Sequence, residues 1–187
     1  KQLAKAQAVI GLCSVETLAA APSLHWIQTW GVGVETCVSV PGLNERGIVL
    51  TNAQRTSAIP IAEHAIAMML ALARGLPQYG RLQETADLDW VENDVPMREL
   101  TGATLLVVGL GGIGTEVARR AHGIGMRVIA TRNSSREGPD FVDKVGLSDE
   151  LLAMAAEADV VVNATPLTPE TTGIFNRAFF SVMKPGG

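Results

Sequence analysis

Gly109-Leu110-Gly111-Gly112-Ile113-Gly114 follows the apolar run Thr104-Leu-Leu-Val-Val108 and opens directly into Thr115-Glu-Val-Ala-Arg-Arg-Ala121. Strand, G-x-G-x-x-G, helix is the order in which this motif reads as a dinucleotide-binding fingerprint. Gly109 lets the chain turn off the strand, Gly111 leaves room for a pyrophosphate at the backbone, and Gly114 lets the helix pack close to the strand. Gly112 and Ile113 complete a helix N-terminus whose N–H groups and partial positive charge suit phosphate. A purely structural glycine turn is the competing reading. The flanking strand and helix favour the cofactor.

A second strand, Arg127-Val-Ile-Ala-Thr131, ends where an NAD-binding unit usually carries Asp or Glu, roughly 20 residues past the glycines, to hold the ribose 2′-hydroxyl. Here Arg132 stands there, followed by Asn133, Ser134, Ser135 and Arg136. A carboxylate repels a 2′-phosphate, whereas a guanidinium pairs with it through charge-assisted hydrogen bonds. Thr131, Arg132, Asn133 and Arg136 therefore point to NADP(H) over NAD(H), with NAD(H) still possible. The alternative is a solvated basic turn, with the ribose held by backbone.

The 187 residues are 47% hydrophobic and 18% charged, which suits a soluble globular chain of one large or two small domains. A net charge of -4 gives no electrostatic reason to expect nucleic acid or an anionic membrane as partner. The longest apolar stretch, Ala65 to Ala73, is far short of the roughly 20 residues of a membrane span. Cys13 and Cys37, with no C-x-x-C spacing, suggest reduced thiols in a cytoplasmic protein. Lys1-Gln-Leu-Ala-Lys-Ala6 does not read as a secretory signal and lacks an initiator Met, and Lys184-Pro-Gly-Gly187 reads as a turn that should feed another strand. No His, Cys, Asp and Glu spacing suggests a metal site.

Strands are expected at 8–12, 25–30 and 48–52, with helical stretches at 16–21 and around Val40 to Arg46 between them. Strands alternating with helices indicate parallel βαβ units. The longest helix is expected from about Ile61 to Leu76, with Pro60 in its first turn, Glu63 complementing its N-terminal dipole and Arg74-Gly75 at its end. Apolar residues cover nearly all its faces, so it should be buried between packed bodies at a domain or subunit junction. Gln78 to Leu100 reads as a helix-plus-loop connector with Trp90 as a packing anchor. The nucleotide unit then continues with strand 104–108, helix 113–122, strand 127–131, helix 148–157, strand 160–165 and helix 176–183. The expected division is 1–56 and 57–187.

With these pieces placed, the chain resembles the D-isomer-specific 2-hydroxyacid dehydrogenase family along essentially its whole length. The resemblance is carried by Trp30-Gly-Val-Gly-Val-Glu35, Arg46-Gly-Ile-Val-Leu-Thr-Asn52, Ile61-Ala-Glu-His-Ala65 and Glu99-Leu-Thr-Gly-Ala-Thr-Leu105 running into the glycine loop. Ala158-Asp-Val-Val-Val162 and Pro166-Leu-Thr-Pro-Glu-Thr171 complete it. It implies an α/β enzyme with a Rossmann-type parallel-sheet NAD(P)-binding domain inserted in a smaller flavodoxin-like catalytic domain, of which 1–56 would be part. The active site would lie in a cleft between the domains. It also implies a homodimer, with the long helix contributing to the interface.

Carried over by motif, Gly31-Val32-Gly33 would hold the substrate carboxylate, and Thr165-Pro166 would pass close to the cofactor. Successive N–H groups at a glycine turn do make an anion nest, although a plain strand-ending turn is the alternative. Glu35 stands where the family often has Asp or Asn. Arg132 replaces the family's common Asp, as in its NADP-using glyoxylate and hydroxypyruvate reductases. The family's catalytic Arg, Glu and His would fall beyond Gly187, so no catalytic residue is assigned within this chain. His25, His64 and His122 read as packing or surface residues, and Glu63 and His64, adjacent on one helix, cannot face the same point. The expected activity of the parent protein is hydride transfer between NADP(H) and a small 2-keto or D-2-hydroxy acid. A non-catalytic, corepressor-like dinucleotide sensor is the alternative on the same fold.

Overall fold

The computed structural model describes residues 3–84 and 95–186. Trp90 lies outside the described residues. The chain divides into two compact units, Lys1–Ser57 and Ala58–Gly187.

In the first unit, β1 (Ala8–Ile10), β2 (Trp26–Gln28) and β3 (Val49–Thr51) form a parallel sheet in the order β1-β2-β3. Val9 and Ile27 turn to one face and bury against Leu18 of α1 (Val15–Ala20) and Cys37 of α2 (Glu35–Val38). Ser14 caps α1 by accepting the Thr17 N–H. The Arg46 guanidinium donates to the Leu18, Ala21, Pro22 and Leu24 carbonyls. A cation thus satisfies the orphan carbonyls at the end of α1.

Two expectations are corrected in this unit. The helix expected around Val40 to Arg46 lies earlier, at Glu35–Val38, and the later stretch is turns. Cys13 and Cys37, expected as free thiols, are joined as a disulfide with a Cα–Cα separation of 5.5 Å. The β-α-β path accounts for it. The segment leaving β1 and the helix following β2 come to the same edge of the sheet, although 24 positions separate the cysteines.

The second unit carries a four-stranded parallel sheet of β4 (Thr104–Val108), β5 (Arg127–Thr131), β6 (Lys144–Gly146) and β7 (Val160–Asn163), ordered β6-β5-β4-β7. Counted within the unit this is 3-2-1-4, the start of a doubly wound Rossmann sheet. Alternate residues serve opposite faces. Leu105, Val107, Val128 and Ala130 pack with α3 (Ala58–Ala73) and α5 (Gly112–Gly123), while Leu106, Val108 and Ile129 pack with α6 (Leu151–Glu157) and α7 (Arg177–Val182). Strands buried on both faces explain why β4 and β5 read as continuous apolar runs.

The long helix α3 begins and ends three residues earlier than expected, and α4 (Leu76–Glu84) follows after a bend of 68°. Gly75, at φ +64°, makes that break. Only one stripe of α3 is buried, Ala58, Ala62, Ile66 and Met69, against α5. Ile59, Ile61, Met68, Leu70 and Leu72 are exposed, so the helix is not enclosed on all sides as its composition suggested. No single helix among the described residues is long and apolar enough to cross a membrane.

Asp159 ties the start of β7 to β4. Its carboxylate accepts the Thr104 N–H at 2.8 Å and the Lys184 ammonium at 2.9 Å, and its own N–H donates to the Thr104 carbonyl. Burial alone would raise its pKa, but the amide and the ammonium outweigh that and hold it below the usual carboxylate range. A depressed carboxylate contributes stability above its unfolded pKa and loses it as pH falls through the folded value. Thermal unfolding should therefore show Asp159→Asn less stable than wild type near neutral pH, with the gap closing as pH drops below about 4. A gap that stays constant down to the acid limit would show that the carboxylate's charge contributes nothing.

Candidate dinucleotide site

At the carboxyl edge of the second sheet lies a cleft of about 760 Å³. Its walls bring together Gly109, Gly111, Thr131, Arg132, Asn133, Thr165 and Pro166, residues drawn from three separate strand ends. Gly112, Ile113 and Gly114 continue into α5 behind this wall, and Arg136 does not line it. Gly31, Val32 and Gly33 belong to the other unit.

The glycine loop is shaped by two unusual requirements. Gly109 has φ +96°, and a Cβ there would stand 2.9 Å from the Ala164 backbone. A Cβ on Gly114 would collide with the Gly109 carbonyl oxygen. Gly114 lets α5 sit tightly against the end of β4, and Gly109 lets the chain leaving β7 pass close beside it. Gly111 differs: no atom lies within 4 Å of its Cβ position, and the residue is exposed. The Gly109 and Leu110 N–H groups donate to the Thr131 carbonyl, and the Gly111 carbonyl accepts from Thr115. No carbonyl among the described residues takes the N–H groups of Gly111, Gly112 or Ile113. Open amides at the N-terminus of a 12-residue helix, beside a glycine with free space in front of it, form a cradle suited to a pyrophosphate.

Arg132 follows β5 directly and is half-buried, with Nη1 donating to the Glu137 carbonyl at 3.1 Å. That bond turns the 132–137 loop back on itself and leaves the other guanidinium nitrogens open. Arg136 pairs with Glu150 instead. The Leu147 N–H above all, helped by Arg136, holds the Glu150 carboxyl below its ordinary range despite the opposing effect of burial. On the opposite wall, Thr165 donates through both N–H and Oγ1 to Asn163 Oδ1, and Thr171 Oγ1 donates to the Pro166 carbonyl at 2.6 Å. These bonds make the 163–171 loop a fixed surface. Ser148, Thr168, Glu170 and Thr171 also line the cleft and were not singled out from the sequence. Thr168, Glu170 and Thr171 entered the sequence reading only as part of the Pro166–Thr171 family motif, and Ser148 only as the start of an expected helix.

In the first unit, the Gly31 carbonyl accepts from Ala53 N–H and Thr29 Oγ1, and the Val32 carbonyl accepts from Asn52 Nδ2 at 2.7 Å. With the carbonyls engaged, the N–H groups of Gly31, Val32 and Gly33 have no acceptor among the described residues. The three histidines are exposed, and among the described residues no group of His, Cys, Asp and Glu is arranged to hold a metal ion.

The order 3-2-1-4, the glycine loop and the open helix N-terminus define a Rossmann-type dinucleotide-binding unit. Residues 66–187 match the family described as D-isomer specific 2-hydroxyacid dehydrogenase, NAD binding domain. The chain belongs to that family. It is 37% identical over 177 residues to a D-3-phosphoglycerate dehydrogenase of Archaeoglobus fulgidus, covering 91% of this chain and 32% of the relative. Among solved structures, D-lactate dehydrogenase from Aquifex aeolicus, complexed with NAD and lactic acid, aligns with a TM-score of 0.81 and 29% identity, covering 98% of this chain and 55% of that one. NADPH-dependent glyoxylate/hydroxypyruvate reductase from Sinorhizobium meliloti, in complex with NADP and sulfate, gives a TM-score of 0.81 and 26% identity, covering 95% and 54%. The chain spans about a third of the length of the curated relatives it matches.

Two glycine variants separate packing from binding. Gly114→Ala should destabilise the second unit by about 1–3 kcal/mol through overpacking against the Gly109 carbonyl. Gly111→Val should unfold at nearly the wild-type temperature yet lose NAD(P)H binding in a fluorescence titration. Wild-type affinity in Gly111→Val would reduce the loop to a structural turn.

Proposed function

We propose that the protein to which this chain belongs transfers a hydride between NADP(H) and a small 2-keto acid or D-2-hydroxy acid. The observation that carries this reading is the Arg132 guanidinium on the wall of a cleft that Gly111 also lines, at the point where α5 begins with the open amides of Gly111, Gly112 and Ile113. The nicotinamide, when bound, supplies or accepts the hydride. The amides hold the pyrophosphate, and Arg132 takes the 2′-phosphate at a position where a carboxylate would repel it. Asn133 and Ser148, 3.4 Å apart through Oδ1 and Oγ, offer further polar contacts to the ribose. Arg136 is a secondary contact, since reaching the phosphate means giving up Glu150. Thr165 and Pro166 form the facing wall. The two solved relatives bind NAD in one case and NADP in the other, so the choice rests on Arg132.

The first unit contributes the carboxylate nest of Gly31, Val32 and Gly33, whose N–H groups have no acceptor among the described residues. A proton donor and a second carboxylate contact are still required. The chain spans about a third of the length of its curated relatives, and the family's Arg, Glu and His are assigned to the remainder of the protein. The exposed apolar face of α3 supports assembly as a homodimer.

Arg132→Ala should weaken NADPH binding about 10- to 100-fold, the equivalent of one or two charge-assisted hydrogen bonds, and leave NADH binding unchanged. Parallel titrations of both cofactors test this. An equal effect on the two, or none on either, would remove the basis for NADP(H) preference.

A further inference from the structure

The segment 11–14, which leaves β1, reaches both ends of the Gly31-Val32-Gly33 loop. At one end the Trp30 indole lies against Gly11, whose missing Cβ would otherwise collide with the ring. At the other end Cys13 is bonded to Cys37 of α2. The Cys37 N–H donates to the Val34 carbonyl at 2.9 Å, so the position of Cys37 passes directly to the residue after Gly33. The remaining tethers, from Ala53, Thr29 and Asn52, act on the carbonyls of Gly31 and Val32. The Val34 carbonyl accepts from Val38 N–H as well, so the start of α2 holds the Gly33–Val34 end, and the disulfide is the covalent tie between α2 and the segment leaving β1.

Access to the two sulfurs is unequal. Cys37 is 2% exposed, in the core formed with Leu18, Ile27 and Leu43, whereas Cys13 is half-buried. We propose that Cys13–Cys37 is a thiol–disulfide exchange site whose redox state sets how firmly the Gly31–Gly33 loop is held, and with it the affinity for a substrate carboxylate. The second half rests on the assignment of that loop to the substrate. The reductant is a small thiol such as glutathione. Its thiolate attacks the Cys13 sulfur, the disulfide breaks, and Cys37 leaves as thiolate and takes a proton. A second thiol then attacks the external sulfur of the mixed disulfide, releasing Cys13 as a thiol and glutathione disulfide. Two protein thiols form as two glutathione molecules are oxidised, and glutathione disulfide drives the reverse.

The test uses the whole protein equilibrated across ratios of glutathione to glutathione disulfide, with thiol state read by differential alkylation and mass spectrometry. Both cysteines should pass together between disulfide and thiols. Reduction should raise the KM for glyoxylate about tenfold, the scale expected when a positioning group loosens, while the Kd for NADPH stays the same. Cys13→Ser should show the reduced-form KM at every ratio. A pair that stays reduced at every ratio, or a KM indifferent to redox state, would overturn the proposal. If no 2-keto acid is turned over in either state, the reductase reading fails by itself. The site is then judged by tryptophan emission. A shift on reduction that is lost in both Trp30→Phe and Cys13→Ser supports the switch, and no shift refutes it.

Discussion

The approach of α5 to the end of β4 is the constraint on which the second unit depends. Gly114 has no Cβ to strike the Gly109 carbonyl, and Gly109, at φ +96°, has none to strike the Ala164 backbone. Small residues continue the pattern along α5, where Ala118 and Ala121 are fully buried beside Ile66 and Met69 of α3. This close layer brings the helix N-terminus to the edge of β4, where its open amides face the cleft. Packing and phosphate chemistry thus share one loop, but through different glycines. Gly109 and Gly114 serve the packing, and Gly111 serves the space.

Each unit places its candidate ligand groups at the carboxyl ends of parallel strands, the usual location for binding in open α/β sheets. In the second unit those groups are helix amides and the Arg132 guanidinium, with Glu150 neutralising the neighbouring Arg136. In the first they are loop amides, on a loop that Asn52, Ala53 and Thr29 hold by its carbonyls. In both cases the protein leaves donors unpaired at a surface where water or an anion completes them.

Long, doubly buried strands were legible in the sequence: 104–108 and 127–131 were read with the bounds observed, because continuous β-branched and apolar runs leave little choice. Short elements were not. Lys144–Gly146 is a three-residue edge strand with one buried residue and no period to detect. Glu35–Val38 is a single turn of helix whose signal was lost against the more polar stretch after it. The disulfide escaped because spacing along the chain says nothing about two segments that a β-α-β crossover brings together. The apolar circumference of α3 led to an expectation of burial on all sides, because composition alone could not show that a single stripe meets α5. In the cleft, the glycine loop and Arg132 were readable from motif and offset. The lining by Ser148, Thr168, Glu170 and Thr171 was not, because it depends on where three loops meet.

The proposed function requires that Arg132 and the Gly111–Ile113 amides bind one dinucleotide, at its 2′-phosphate and its pyrophosphate. A crystal structure of the protein with NADP+ tests it most directly. The predicted result places pyrophosphate oxygens about 3 Å from the Gly111–Ile113 amides and the 2′-phosphate at similar distance from the Arg132 guanidinium. A dinucleotide bound away from the glycine loop, or one whose 2′-phosphate faces solvent with Arg132 still directed at Glu137, would contradict it.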